Sequence, residues 1–217
     1  MAETRYEGPR CGSGKKSKYV YLIDNGHGGI INGVYQTKGK RSPKLDDGRQ
    51  LFEGEYNRAV ASILCGMLED NGIEYFNLVP ELEDISLKER VKRANNINSL
   101  NGRSIYISIH ANANGTNWNS AHGIETYHYE KDGKKSLTGE HIAKLLHPEF
   151  AKAANRRDRG IKGANFYVLR NTSMPAILTE SPFMTNEDEA KLMLTRDFRQ
   201  RVALGHFNGI MEIEKKF

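Results

Sequence analysis

The stretch SLKERVKRANNINSLNGRSIYISIH, residues 86–110, decides the fold, because it reads as an amphipathic helix that leads directly into a buried strand. Ser86 and Glu89 form an S-x-x-E capping box, which marks the beginning of the helix. Residues 104–110 are rich in the β-branched and aromatic side chains that fit a pleated sheet. A helix of this length between strands is typical of a crossover connection in a parallel sheet.

The same alternation of strand and helix continues over most of the chain. Predicted strands lie at residues 19–24, 73–79, 104–110, 123–129, 166–170 and 176–180, and predicted helices begin at Asn57, near residue 137 and after Asn186. We therefore predict an α/β fold, in which one domain over residues 19–217 holds a mostly parallel sheet flanked by helices on both faces. A flexible tail is predicted at residues 1–18. Residues 33–54 are too long for a routine connection and predict a functional surface loop.

The composition is that of a soluble globular protein with one basic segment. Its 217 residues are 38% hydrophobic and 27% charged, and the mean hydropathy is −0.65. The formal net charge of +5 is accounted for by residues 151–170, which hold six basic side chains and the single acid Asp158. Because no nucleic-acid-reading motif accompanies this segment, we predict no nucleic-acid partner.

Cysteine content and the N-terminal sequence indicate where the protein is made. Cys11 and Cys65 are too few for a disulfide framework or a cysteine-based zinc site. The N-terminus has charges and glycines where a signal peptide needs an apolar run, and no apolar run approaches the roughly 20 residues of a membrane span. We expect a protein made in the cytoplasm, without a signal peptide or transmembrane segment.

Polar side chains stand where three predicted strands end. His27 follows the first strand, His110 ends the third, and Glu180 ends the sixth. Functional crevices in parallel sheets lie at these carboxyl ends. Two imidazoles and a carboxylate are a common zinc ligand set in hydrolases, and a further carboxylate is then needed as general base. Glu53 and Glu55, just ahead of the first predicted helix, are both candidates for the missing carboxylate.

Five motifs in this order carry a resemblance to a known family. They are DNGHGG at 24–29, Glu53 four residues before Asn57, SIHANA at 108–113, GIETY at 123–127 and PAILTESPF at 175–183. On these motifs the chain resembles the zinc-dependent N-acetylmuramoyl-L-alanine amidases of the type-3 (AmiC/CwlV-like) family over about residues 19–213. Since no export signal is present, the nearer likeness is to endolysin-like lysis enzymes of phage or prophage origin.

The resemblance implies a fold and a set of site residues. The fold would be a twisted six-stranded sheet flanked by helices. One Zn²⁺ would be held by His27, Glu53 and His110, with Glu55 as the alternative to Glu53, and Glu180 would be the catalytic glutamate.

A substrate and a place of action are also implied. The enzyme would be a peptidoglycan hydrolase that cuts the amide between N-acetylmuramic acid and L-alanine. Asn112 could face the substrate, and its alternative role is that of a turn residue that bonds its own backbone. We expect a monomer that reaches the cell wall after holin-type release or lysis. A zinc peptidase acting on the stem peptide and a non-catalytic wall-binding protein are the competing hypotheses.

Overall fold

The computed structural model describes residues 17–217, within which strands and helices alternate as expected. The strands are β1 (Val20–Asn25), β2 (Ile30–Ile31), β3 (Val34–Tyr35), β4 (Tyr75–Asn77), β5 (Ser104–Asn112), β6 (Ile124–Lys131), β7 (Lys134–Lys135), β8 (Asp158–Ala164) and β9 (Ala176–Phe183). The helices are α1 (Glu53–Asp70), α2 (Leu87–Asn101), α3 (Leu137–Ala154), α4 (Tyr167–Asn171), α5 (Glu187–Met193) and α6 (Arg196–Lys216). None of these helices is long and apolar enough to cross a membrane.

Most of the predicted tail, with Cys11, lies outside the described residues. Its last two residues are hydrogen-bonded to the rest of the chain. Lys18 N donates to Glu214 Oε2 in α6 at 2.8 Å, and Ser17 O accepts from Arg103 Nη1 at 2.6 Å. The predicted boundary at residue 18 stays a prediction.

The main sheet has seven strands in the order β4-β1-β5-β9-β6-β7, with β8 paired to β6. The pairs β1–β4, β1–β5, β5–β9 and β6–β8 are parallel, whereas β6 runs antiparallel to both β9 and β7. The α/β class and the parallel centre are confirmed. The prediction of six strands was wrong by one, and the sheet is mixed at the β9–β6 border.

Helices cover both faces of this sheet, as predicted. Tyr21 and Ile23 of β1 pack in the cluster that includes residues of α1, α3 and α6, while Val20 and Leu22 pack on the other face with α2 and α4. Successive side chains of a strand point to opposite faces. A strand buried on both faces therefore needs apolar residues at successive positions, and this explains the apolar run that begins at residue 19.

The capping box predicted at the start of α2 forms in the structure. Ser86 Oγ accepts a hydrogen bond from Glu89 N at 3.2 Å, and α2 ends at Gly102, whose φ of 66° is left-handed. The chain therefore passes from the end of α2 directly into β5, which lies between β1 and β9 in the sheet.

The fifth predicted strand, residues 166–170, was wrong. Those residues form the short helix α4, and the strand lies earlier, at Asp158–Ala164. A short apolar run cannot be assigned to strand or helix by periodicity alone. The apolar pattern does not indicate strand β8, because within residues 17–217 this strand pairs with β6 alone and its sequence, DRGIKGA, is largely polar.

Two further boundaries differ from the prediction. Helix α1 begins at Glu53 rather than Asn57, and the C-terminal helical region divides into α5 and α6. The division falls at Thr195, whose side chain accepts from Phe198 N and caps α6. The earlier beginning of α1 places Glu53 in its first turn.

Candidate metal centre

His27 lies in a sharp turn just after β1. Its φ of 70° is in the left-handed region, which a residue other than glycine seldom adopts. Gly26 allows the turn to approach β5 closely, because a Cβ at this position would stand 2.1 Å from Cε1 of His110. Asn57 of α1 holds the turn through a 3.0 Å hydrogen bond from Nδ2 to Gly26 O.

Glu53, in the first turn of α1, lies beside His27 and His110. Its Oε1 lies 3.1 Å from His27 Nε2 and 3.0 Å from His110 Nδ1, and it accepts from Ala111 N at 3.2 Å. The Glu53 side chain is 2% exposed. One candidate ligand atom from each of His27, Glu53 and His110 lies within 4.8 Å of the other two.

The charge of Glu53 is stabilised within this cluster. Burial alone would raise the pKa of Glu53, but hydrogen bonds to His110 and His27 outweigh it and hold the pKa well below its usual range. Within residues 17–217, the buried Glu53 Oε2 has no hydrogen-bond partner. A buried polar atom without a hydrogen-bond partner is typical of a site that binds a ligand.

Glu180 faces this cluster from the neighbouring strand. In the parallel β5–β9 pair it stands opposite His110, about 4.8 Å away along the hydrogen-bonding direction. Burial and the nearby charge of Glu53 raise the pKa of Glu180 well above its ordinary value. Its buried Oε2 also has no hydrogen-bond partner in the part of the chain that the structure describes. Glu180 is therefore a carboxylate whose proton affinity is raised beside a candidate metal site.

A cleft of about 480 Å³ opens over these four side chains. Lys40 and Asp84 line one part of it, and Phe166 and Tyr167 contribute aromatic surface. Phe166 is 38% exposed and packs edge-on against Tyr127, with 5.1 Å between ring centroids. Lys40 comes from the long segment 33–54, so this segment reaches the cleft.

The remaining predicted site residues lie outside the cluster. Glu55 Oε1 accepts from Ile30 N at 3.0 Å. Asn112 Oδ1 accepts from Ala113 N at 2.8 Å, the contact expected of a turn residue. Of the two candidate carboxylates, Glu53 is thus the one placed beside His27 and His110.

Part of the basic segment 151–170 is neutralised within the protein. Arg159 and Lys162, on β8, both pair with Glu125 of β6, whose side chain is 3% exposed. The Lys162 Nζ–Glu125 Oε1 distance is 2.8 Å. Two of the six basic side chains therefore bind a buried carboxylate next to Glu180, its partner in the β6–β9 register.

Sequence reasoning missed a buried ion pair beneath the His27 turn. Arg90 of α2 is 2% exposed and bonds Asp24 of β1, which is 1% exposed. A signal was available, because Arg90, Ala94 and Ile97 follow helical spacing and place a charge on the apolar side of α2. A charge on such a stripe predicts a buried partner.

Comparison with known proteins agrees with this geometry. The chain is 41% identical over 204 residues to the endolysin of Bacillus phage SPP1, a match that covers 91% of this chain and 66% of the endolysin. It is 34% identical over 191 residues to the N-acetylmuramoyl-L-alanine amidase CwlM of Bacillus licheniformis, covering 87% of this chain and 66% of CwlM. The chain thus spans about two thirds of the length of these relatives.

The fold is also that of a solved amidase structure. The catalytic domain of CwlV, the N-acetylmuramoyl-L-alanine amidase of Bacillus (Paenibacillus) polymyxa var. colistinus, superimposes with a TM-score of 0.74 at 29% identity. The match covers 91% of this chain and 98% of that domain. Residues 22–212 match the family described as N-acetylmuramoyl-L-alanine amidase, and the chain belongs to this family.

Proposed function

We propose that the chain is a zinc-dependent amidase that acts on peptidoglycan. It would hydrolyse the amide bond between the lactyl carbonyl of N-acetylmuramic acid and the amino group of L-alanine. The observation that carries this proposal is the convergence of His27, Glu53 and His110, with Glu180 opposite them in the same cleft. Membership of the amidase family supports the choice of bond.

The donor set fits a zinc ion. His27, Glu53 and His110 would hold it with two imidazoles and one carboxylate, a set that zinc accepts readily. Glu53 Oε2, a buried atom without a hydrogen-bond partner among residues 17–217, belongs to this set. When bound, Zn²⁺ would supply a Lewis acid that lowers the pKa of a coordinated water and polarises a carbonyl group.

The chain's own residues would then move the proton and position the substrate. Glu180, whose pKa is raised by burial and by Glu53, would take a proton from the attacking water and pass it to the departing alanine nitrogen. Phe166 and Tyr167 would cover the cleft on one side and limit the access of water. Asn112 would face the substrate through its amide, whose oxygen also accepts from Ala113 N.

The place of action follows from the relatives. A phage endolysin is among them, so we propose that the protein acts on the cell wall after holin-type release or lysis. We also propose that it works as a monomer, and one chain supplies all four proposed residues.

Digestion of purified cell walls, with and without a chelator, tests the reaction. Mass spectrometry should find intact stem peptides with a new L-alanine amino terminus, released only when Zn²⁺ is available. Shortened peptides still attached to muramic acid would instead show a peptidase. No released product at all would show a wall-binding protein without activity.

Replacing Gly26 by alanine should weaken zinc binding by about tenfold or more. The new Cβ would stand 2.1 Å from the His110 ring, which would have to leave its position beside Glu53. Competition with a chromophoric chelator measures the affinity. Gly66→Ala is the matched control, because a Cβ there meets no atom within 4 Å. Equal zinc affinity in both variants would show that the His110 position does not depend on Gly26.

A further inference from the structure

Arg90 connects the buried side of the sheet to the backbone of the His27 turn. Its Nη1 bonds Asp24 Oδ1 and donates to Asn25 O at 2.8 Å, and its Nη2 donates to His27 O at 3.3 Å. One guanidinium group thus contacts a strand carboxylate and two carbonyl groups of the turn.

Asp24 is itself held rigidly. Its Oδ2 accepts from the Tyr106 hydroxyl and, at 2.9 Å, from Ser108 Oγ, both on β5. The Arg90 guanidinium and the Tyr106 hydroxyl offset the effect of burial and keep the pKa of Asp24 below its ordinary value. The anchor of Arg90 is therefore a charged group fixed by two strands.

The outer side of the turn is held by a second set of contacts. Gly28 N donates to Thr37 Oγ1 at 2.8 Å, and Thr37 Oγ1 donates to Asp84 Oδ2 at 2.8 Å. Asp84 Oδ1 lies 3.7 Å from Arg90 Nη2. The contacts on both sides of the His27 turn therefore end at the guanidinium group of Arg90.

We propose that Arg90 is the positioning residue of the metal centre: it holds His27 in its left-handed conformation and so aims the imidazole at Glu53 and His110. The proposal rests on the metal centre proposed above. A positive φ at histidine persists only where the surroundings impose it, and the two carbonyl contacts of Arg90 do so directly on either side of Gly26. The five donors of arginine, in a planar fork, suit this role, and a lysine ammonium cannot make the same set.

The test compares Arg90→Lys with Arg93→Lys in the full chain. Arg93 lies one turn further along α2 and bonds Leu78 O and Glu81, away from the His27 turn. Zinc affinity of the metal-free proteins is measured by chelator competition, with thermal unfolding recorded for each. Arg90→Lys should bind zinc about 10–100-fold more weakly than wild type, the usual effect of losing an outer-shell contact, and Arg93→Lys should keep wild-type affinity. Equal affinity in the two variants would overturn the proposal.

If Arg90→Lys does not fold, Asp84→Asn takes its place. This variant removes the carboxylate beside Nη2 at the more exposed end of the network, where Asp84 is 36% exposed. It should weaken zinc binding by about tenfold, and an unchanged affinity would contradict the positioning role.

Imidazole ¹H–¹⁵N spectra of the metal-free proteins give a second readout that needs no zinc. The substitution of Arg90 should shift or broaden the ring signals of His27, assigned with His27→Gln, and leave those of the buried His206 unchanged. If wild type bound no zinc, the proposed metal centre would be wrong, yet these spectra would still decide whether Arg90 orders His27. Unaltered His27 signals would overturn the proposal.

Discussion

Replacing Glu180 by glutamine should lower the rate of amide hydrolysis by about 10²–10⁴-fold, the usual contribution of a general base. Glutamine has nearly the same shape but cannot take the proton of the attacking water. The zinc content should stay at the wild-type level, because Glu180 lies outside the group formed by His27, Glu53 and His110. Release of stem peptides from purified walls gives the rate, and elemental analysis gives the zinc content.

Glu55→Gln is the matched control for this prediction. Glu55 lies two residues from Glu53, but it bonds Ile30 N and not the histidines. This variant should keep both zinc and activity. Full activity of Glu180→Gln with zinc bound would remove Glu180 from the mechanism, and loss of zinc would move it into the ligand set.

The location of the site could be predicted because strand ends of a parallel sheet share an edge. His27 follows β1 and His110 lies near the end of β5, two strands that are neighbours in the sheet, and Glu180 lies on the next strand, β9. Strand order was not required for this step. Three polar groups at the exits of buried strands were enough to indicate one crevice.

The choice between Glu53 and Glu55 could not be made from residue patterns alone. The apolar stripe of α1 becomes regular only at Val60, so the pattern placed the beginning of the helix too late. Two residues along a helix rotate a side chain by roughly 200°, so only one of these carboxylates can face the histidines. The resemblance to the amidase family favoured Glu53, and the early beginning of α1 supplies the physical reason.

The errors in the predicted strands have a common cause, which is that strand β8 is only partly buried. Among the described residues β8 is hydrogen-bonded on one side, to β6, so it needs few apolar residues. The apolar residues that follow it belong instead to α4, where Val168 and Leu169 pack in the core cluster with residues of β1 and α2. A short apolar run therefore indicates that a segment is buried, but it does not show whether the segment is a strand or a helix.

The charge of the basic segment could not be interpreted from the sequence alone, because a count along the chain does not show which charges are paired across strands. Arg159 and Lys162 contribute to the net charge of residues 151–170, yet both bind the buried Glu125.

Replacing Glu53 by glutamine should abolish zinc-dependent stabilisation. A ligand that binds only the folded state adds about 4 kcal/mol to the free energy of unfolding at 1,000 times its Kd. At about 2–4 °C per kcal/mol for a chain of this size, zinc should raise the Tm of wild type by roughly 8–16 °C. The variant should show no such rise. The carboxylate is 2% exposed and its Oε1 contacts both histidines, so the variant lacks the one carboxylate of the proposed ligand set.

The stability of the metal-free variant separates loss of a ligand from loss of the fold. In wild type, Glu53 is a buried carboxylate beside two imidazoles, and glutamine removes its charge while keeping its size. Metal-free Glu53→Gln should therefore still unfold cooperatively, at a Tm below that of wild type, because the favourable interaction of the carboxylate with the two imidazoles is lost. His122→Ala is the histidine control, because His122 lies outside the cluster and its Nδ1 lies 2.9 Å from Ser120 O, and this variant should keep the full rise with zinc. A Tm of Glu53→Gln that rises with zinc as in wild type would mean that another group, Glu180 first, completes the site.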